Sequence, residues 1–365
     1  MSSADLRVLI IPSSCFARNR TVGGGERYAM EYARALASLT PTTLALFDLQ
    51  SRTERTGNLV LRTFTVRHFR QRWGFPLTPA TWRALGAYQV IHIMDFPTPL
   101  SDILLLGGWL RRQTVILTDV GGGTPCWSTH LERLSPRVSL SRLADGLAPL
   151  SHYASRFFVD WPHPKQILYG GVNLEVLAAA DAEPGGYALY VGRLLPHKGV
   201  LPLIQAVNPN TPLHIVGRPY DRPYFSQLQQ AAAGKKVIFF LEADDAELRR
   251  QYAGASVVLQ PSVPADRSDK DKSELLGLVT LEGMACGKPV IIARTASLPE
   301  LVVDGETGFV VPPHDLAALR DRIDQLVGNP GLSRSMGEAA RRHVAGNFTW
   351  QKTAQRGLHF YQTLG

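Results

Sequence analysis

The sequence predicts an α/β protein made of two doubly wound, parallel-sheet domains in tandem, and three observations carry that prediction. Short β-branched runs alternate with helix-like segments through both halves of the chain. The 365 residues are 45 % apolar and 19 % charged, enough apolar matter for more than one sizeable core. The charge balance also changes near the middle: residues 1–160 hold 18 Arg, no Lys and 11 acids, whereas residues 161–365 hold 21 bases and 20 acids. The net charge of +8 therefore sits almost wholly in the first half.

The elements follow in order. Leu6–Ile11 reads as a strand, Gly25–Leu36 as a helix, and Thr43–Phe47, Leu59–Val66, Val90–Met94, Val115–Leu117 and Gly146–Leu150 as further strands. The second half repeats the alternation. Its strands are Tyr187–Val191, Leu213–Val216, Val237–Leu241, Ser256–Leu259 and Pro289–Ile292; its helices are Leu201–Val207, Tyr224–Ala233, Ala246–Tyr252, Leu278–Ala285 and Leu316–Val327. Strands alternating with helices imply parallel sheets covered on both faces. The Pro- and Gly-rich stretch from Asp160 to Asn173 marks the join. Ligands of such folds bind outside the carboxyl ends of the strands, so two domains facing each other make a cleft there.

Several function classes are excluded. The best candidate for a membrane span, Ile103 to Leu110, is stopped by Arg111 and Arg112. The stretch Met1–Arg7 is short, polar and followed at once by a strand-like run, so a secretory signal peptide is not expected. Cys15, Cys126 and Cys286 are odd in number and lack CxxC spacing, which points to a reducing, cytoplasmic setting. No metal-ligand spacing occurs among the ten His, and the DxD triplet Asp269–Lys270–Asp271 lies in a loop with lysines in and after it rather than at a strand end. No metal and no bound cofactor are expected. The basic charge carries no nucleic-acid reader motif, so a basic nucleic-acid-binding protein is kept only as the non-enzyme alternative.

Three motifs bear chemistry. Gly23, Gly24 and Gly25 lead into a helix whose amides and dipole suit an anion, although a flexible loop is the alternative. At the end of a strand, Val191–Gly192–Arg193 is followed by Lys198–Gly199; Arg offers a fork for phosphate oxygens and Lys a point charge. The third motif runs from Glu274 through Leu276, Gly277, Leu278 and Val279 to Glu282 and Pro289. Glu274 falls in the loop before a helix that starts near Gly277, whose first amides are free for a diphosphate. Glu282 falls on that helix among apolar positions, where a carboxylate needs hydroxyl or backbone donors, unless it is merely half-exposed. Acids for hydroxyls and amides for phosphates suit a sugar nucleotide.

The Glu274-to-Val290 element, the Val191-to-Gly199 loop, the Gly-Gly-x-Glu loop and the trailer Asp304–Pro312 together resemble glycosyltransferase family 4, the retaining "group 1" enzymes of GT-B fold. Ile167–Asn173 looks like that family's interdomain segment, and the likeness spans nearly the whole chain. The resemblance implies an acceptor domain over 1–160, a donor domain over 161–345, and a C-terminal helix in 346–365 that packs back toward the first domain. It implies a UDP- or GDP-sugar as donor and a retaining transfer without metal, with Arg193 and Lys198 on the diphosphate. Glu282 would hold the ribose, Glu274 the transferred sugar, and the amides of Leu276 to Val279 the distal phosphate. Gly24 and Gly192 would allow close approach to the donor. With no evident nucleophile, a front-face route follows, in which the leaving phosphate accepts the acceptor's proton.

Two departures matter. Val120 stands where many relatives have His, leaving Asp119 as a candidate acceptor contact or a mere cap. Leu241–Glu242 stands where relatives often have Gly, so Glu242 marks an atypical base pocket. Arg70 and Arg72 belong to a run, Arg67–Phe75, that interleaves bases with aromatics; it suits an anionic membrane surface or a lipid-linked phosphate, or else a partly buried segment. The expected acceptors are a sugar, a lipid-linked glycan of the cell envelope, or a soluble small molecule. A GT-B-like epimerase or phosphorylase is the other enzyme reading.

Overall fold

A computed structural model describes residues 6–12, 23–66, 77–94, 96–120, 126–134, 139–177, 185–264 and 274–365. The chain divides into two compact units, residues 1–171 with 350–365, and residues 172–349. The elements of the first unit, in chain order, are β1 (Val8–Ile11), α1 (Gly24–Ala37), β2 (Thr42–Asp48), β3 (Arg52–Thr56), β4 (Leu59–Thr65), α2 (Pro79–Leu85), β5 (Val90–Ile93), α3 (Pro99–Arg111), β6 (Thr114–Leu117), α4 (Trp127–Leu134), β7 (Gly146–Leu147) and α5 (His152–Ser155). Its sheet has the order β3-β4-β2-β1-β5-β6-β7. All its pairs are parallel except β3 with β4.

The second unit contains β8 (Tyr187–Val191), α6 (Val200–Ala206), β9 (Leu213–Val216), α7 (Arg222–Ala232), β10 (Val237–Phe240), α8 (Asp245–Gly254), β11 (Ala255–Gln260), α9 (Leu278–Ala285), β12 (Val290–Ala293), β13 (Gly308–Val311), α10 (Leu316–Val327) and α11 (Pro330–Asn347). Its sheet, β10-β9-β8-β11-β12-β13, is parallel throughout. The order reverses between β8 and β11, which places the topological switch point at the carboxyl ends of those two strands. Leu189, Val257, Leu259 and Ile291 are wholly buried, as expected of strands covered on both faces.

Most elements fall where the sequence places them, and the differences have physical reasons. β3 was not expected: its residues, Arg-Thr-Glu-Arg-Thr, are all exposed and show no apolar alternation. The last strand of the first unit is only Gly146–Leu147, shorter than the Gly146–Leu150 expected, because the chain then turns into a serine-capped helix at Ser151. α3 covers the run read only as a failed membrane span. Pro99 at its start and the Thr98 side chain, which accepts from the Ser101 amide, fix its N-terminus.

The chain's last helix, α12 (Trp350–Leu364), belongs to the first unit and lies against α1. Gly357 permits the approach, since a Cβ there would stand 1.9 Å from the Tyr32 hydroxyl. The contact opens onto a buried polar chain. The Thr118 hydroxyl donates to the Ala148 carbonyl (2.8 Å), so it accepts from His92 Nε2 (2.7 Å). His92 Nδ1 must then accept from the Tyr361 hydroxyl (2.6 Å), which in turn accepts from Tyr32 (2.6 Å). Every proton in the series is assigned by its neighbour.

Burial pushes the His92 imidazole down to about 3, so it is neutral in the fold. Unfolded His titrates near its ordinary value and binds a proton that the folded state refuses; stability therefore falls as pH drops from about 6.5 towards 3, by at most about 1.4 kcal/mol per pH unit. We expect denaturant midpoints to fall between about pH 6.5 and pH 5, above the carboxylate range. His92→Gln, although less stable, should flatten that slope. An equal slope in the variant would assign the effect elsewhere.

Candidate functional site

The loops that leave the carboxyl ends of β8, β11 and β12 converge. After β8 the chain passes through Gly192 and Arg193 into a single turn, Pro196–Lys198, which Gly199 closes in the left-handed region (φ 71). A Cβ on Gly199 would lie 1.9 Å from the Pro261 carbonyl oxygen, so this turn is packed directly on the segment that follows β11. The Val263 amide donates to the His197 carbonyl (3.0 Å) and ties the same two loops together.

This packing brings Lys198 to Glu274, 76 residues away. Lys198 Nζ donates to Glu274 Oε2 at 2.5 Å, and both side chains are largely buried. Gln260 Nε2, at the end of β11, donates to the same oxygen (3.3 Å), and the Gly277 amide donates to Glu274 Oε1 (3.3 Å). From the loop after β12, the Ser297 hydroxyl (2.6 Å) and amide (3.2 Å) hold the Glu274 carbonyl. Burial pushes the Glu274 carboxyl up. The Lys198 charge and the donors from Lys198, Gly277 and Gln260 outweigh that, so Glu274 stays below the ordinary carboxylate range and ionised. Burial and the Glu274 charge together raise the nearby Tyr190 phenol.

Around the pair, polar capacity is left over. Among the described residues, Gln260 Oε1, Ser262 Oγ and Thr280 Oγ1 are buried without a hydrogen-bond partner. Thr280 lies in the first turn of α9, which starts behind Gly277 with no side-chain cap and no acid in that turn. The first amides of α9 and two of the three Lys198 N–H groups are thus open to an acceptor. Buried polar atoms go unpaired only rarely, and unpaired ones beside an uncapped helix start mark a place for a polar ligand.

The other expected residues fall as follows. Leu276, Gly277, Leu278 and Val279 form the approach and first turn of α9. Arg193 and Gly192 lie on the loop after β8, with Arg193 exposed and in no ion pair among the described residues. Glu282, buried on α9, accepts from the Tyr252 hydroxyl of α8 (2.9 Å), the kind of donor its apolar setting requires. Glu242 is exposed, just past β10. In the first unit, Asp119 is half-buried directly after Thr118. Gly24 opens α1, but here Glu26 Oε2 already accepts from the Gly23 amide (2.9 Å), so an internal carboxylate occupies part of that helix start. Arg70, Arg72, Cys15 and the Asp269–Asp271 triplet lie outside the described residues. Sequence reasoning missed Gln260, Ser262, Thr280 and Ser297; the polar Gln-Pro-Ser directly after a β-branched run was the signal for the first two.

Comparison with known proteins decides the family. The model for glycosyl transferases group 1 matches residues 179–343. A D-inositol 3-phosphate glycosyltransferase of Kribbella flavida is 31 % identical over 320 residues, spanning 80 % of this chain and 67 % of that protein. The chain belongs to the group 1 glycosyltransferase family. A GDP-mannose-dependent alpha-(1-6)-phosphatidylinositol monomannoside mannosyltransferase of Mycolicibacterium smegmatis is 34 % identical over 176 residues, 46 % of this chain and 45 % of that protein. The chain spans between 45 % and 67 % of these two relatives' lengths.

Two solved structures share the fold. Anabaena HepE, in complex with UDP and glucose, has a TM-score of 0.73 at 18 % identity, covering 98 % of this chain and 100 % of its own. The sucrose-phosphate synthase of Thermosynechococcus elongatus has a TM-score of 0.71 at 20 % identity, covering 98 % and 99 %. The two Rossmann-like units of this glycosyltransferase family member are thus those of the GT-B fold.

Gly199→Ala should lower stability by about 2 kcal/mol or more, because the added Cβ meets a backbone carbonyl in a left-handed conformation. Urea midpoints measure this. A neutral substitution would mean that the loop after β8 does not rest on the segment after β11.

Proposed function

We propose that the chain moves a sugar from a nucleoside-diphosphate sugar to an acceptor hydroxyl with retention of configuration. The observation that carries this reading is the cluster at the β8/β11 switch point: a buried Lys198–Glu274 pair, three unpaired polar atoms and the uncapped start of α9. A diphosphate suits the open Lys198 donors and helix amides, and sugar hydroxyls suit a carboxylate that stays ionised.

On this reading the second unit holds the donor and the first receives the acceptor. Arg193 and Lys198 stabilise charge on the diphosphate as the glycosidic bond breaks, and the α9 amides hold the distal phosphate. Glu274 orients the transferred sugar and Glu282 the ribose. The acceptor oxygen bonds to the anomeric carbon on the face the diphosphate leaves, and its proton passes to the departing phosphate oxygen. Most of the rate enhancement is charge stabilisation and positioning, with no metal in the scheme. The donor is a UDP- or GDP-sugar: one relative's name specifies GDP-mannose, and one fold neighbour was solved with UDP. Asp119 contacts the acceptor. The phosphatidylinositol-linked substrate in that relative's name supports a lipid-borne acceptor of the cell envelope, handled by a peripheral cytoplasmic enzyme.

A thermal-shift series with UDP, GDP, dTDP, ADP and CDP, with and without magnesium, tests the donor site, because a ligand that binds only the folded state raises the midpoint. We expect UDP or GDP to raise it without metal. Lys198→Ala and Glu282→Ala should each cut turnover by about 10²-fold or more while remaining folded. Shifts by none of the nucleotides, or near-normal turnover in either variant, would break the assignment.

A further inference from the structure

α3 is apolar on both sides. Its inner side, with Leu100, Leu104, Leu105, Gly107 and Gly108, is buried in the first unit. Its outer stripe, at helical spacing, is Leu106, Trp109 and Leu110, exposed to 41 %, 56 % and 63 %. Trp127, exposed to 60 %, extends the stripe: the Ser128 amide donates to Asp102 Oδ2 (3.1 Å), which sets the first turn of α4 beside the first turn of α3. Scattered exposed apolar residues are ordinary, but two tryptophans and two leucines along one adjoining helix pair are a patch with a purpose.

Among the described residues of α2 and α3 and the caps that end them, the charges that reach solvent are all basic. Arg111 lies over the Trp82 ring at 3.9 Å and donates to the Trp82 carbonyl (2.9 Å), which draws the ends of α2 and α3 together. Exposed Arg112 and Arg83 flank that junction. The only acid on α2 or α3 is Asp102, 1 % exposed and engaged by Ser128. The C-terminal end of the α3 dipole accounts for a cation there, but not for solvent-facing Trp109 and Leu110. Tryptophan and leucine beside arginine, in a half-chain with 18 Arg and no Lys, match the apolar edge and anionic headgroups of a bilayer surface.

We propose that the outer face of α3, extended by Trp127, is the surface on which this protein docks to an anionic lipid bilayer. The docking stands on these residues; its consequence, that the acceptor is met at the membrane, rests on the glycosyltransferase reading above.

Co-sedimentation of the full chain with phosphatidylcholine vesicles, with and without phosphatidylglycerol, tests it. The wild type should partition onto the anionic vesicles. Trp109→Ser/Leu110→Ser should weaken that partitioning about tenfold, and Arg83→Gln/Arg112→Gln should erase much of the preference for anionic lipid. Ile238→Ser, at an apolar residue 50 % exposed in the second unit, should change neither. Absence of wild-type binding, or equal binding by the Trp109/Leu110 variant, would overturn the proposal. So would sizing that shows a wild-type dimer converted to monomer by that variant, since a second copy would then be the occupant. The nucleotide thermal shift, measured on the same proteins, separates the two claims: a shift retained with vesicle binding absent defeats the docking alone, and vesicle binding without any shift defeats the donor reading alone.

Discussion

Parallel pairing is the constraint from which the rest of each unit follows. A parallel strand cannot be reached by a tight turn, so most strands return to their sheet through a crossover that lays a helix on one face; the exceptions are β3 and β4, joined to each other as an antiparallel hairpin, and β13, reached from β12 through a loop with one short turn. Both faces are then covered, the strands become uniformly apolar, and chemistry is pushed to the loops at their ends. Where the winding reverses, between β8 and β11, two loops leave in opposite directions and leave space between them. Lys198 on one loop and Gln260 at the other strand's end meet over that space, and Glu274 closes it. No residue in this cluster would be near another without the strand order.

The Lys198–Glu274 pair is better understood as placement than as stabilisation. Two charges taken out of water recover little net energy, but removing one partner strands the other. What the pair supplies is a carboxylate that stays ionised although buried and a cation whose remaining donors point from a fixed base. The two helix starts named by their glycines both place a carboxylate on the glycine amide, Glu26 on Gly23 and Glu274 on Gly277. They differ in that Glu26 comes from the first turn of α1 itself, whereas Glu274 precedes α9, is shared with Lys198 and Gln260, and leaves the first turn of α9 with no acid and no side-chain cap. An uncapped start is unfavourable for folding, so its persistence beside Lys198 agrees with a ligand that completes it.

What was legible in the sequence, and what was not, follows from how far apart the relevant residues are. Alternation and apolar runs gave the central strands within a residue or two, because burial on both faces writes itself into a continuous run. β3 left no such mark, since all five of its residues face solvent and only the backbone joins it to β4. α3 was hidden for the opposite reason: apolar on both sides, it shows no helical period, only a hydrophobic run too short for a span. In the candidate site the motif could name Lys198 and Glu274 but not their contact, and the leftover polar atoms of Gln260, Ser262 and Thr280 are visible only once their surroundings are counted. The His92 series, with partners 26 and 269 residues away, has no local signature at all.

The two units solve different problems with different materials. In the second, the central candidate groups are buried and held by others: Glu274 by five donors from four residues, Glu282 by Tyr252, Gly199 by the carbonyl beneath it. Such a site is preorganised and cannot vary one residue at a time without strain. In the first unit the rigid part is the interior series from Tyr32 through Tyr361 and His92 to Thr118, which holds the residue immediately before Asp119 and joins α12 to the sheet. Its distinctive features beyond that are an apolar stripe in water and, over residues 1–160, a basic balance made of arginine without lysine. Surface side chains change at little energetic cost, whereas buried networks do not. A candidate site written in buried contacts in the second unit, and a first unit marked largely by arginine and exposed tryptophan, are the physical reason the motifs of this chain are dense in its second half and sparse in its first.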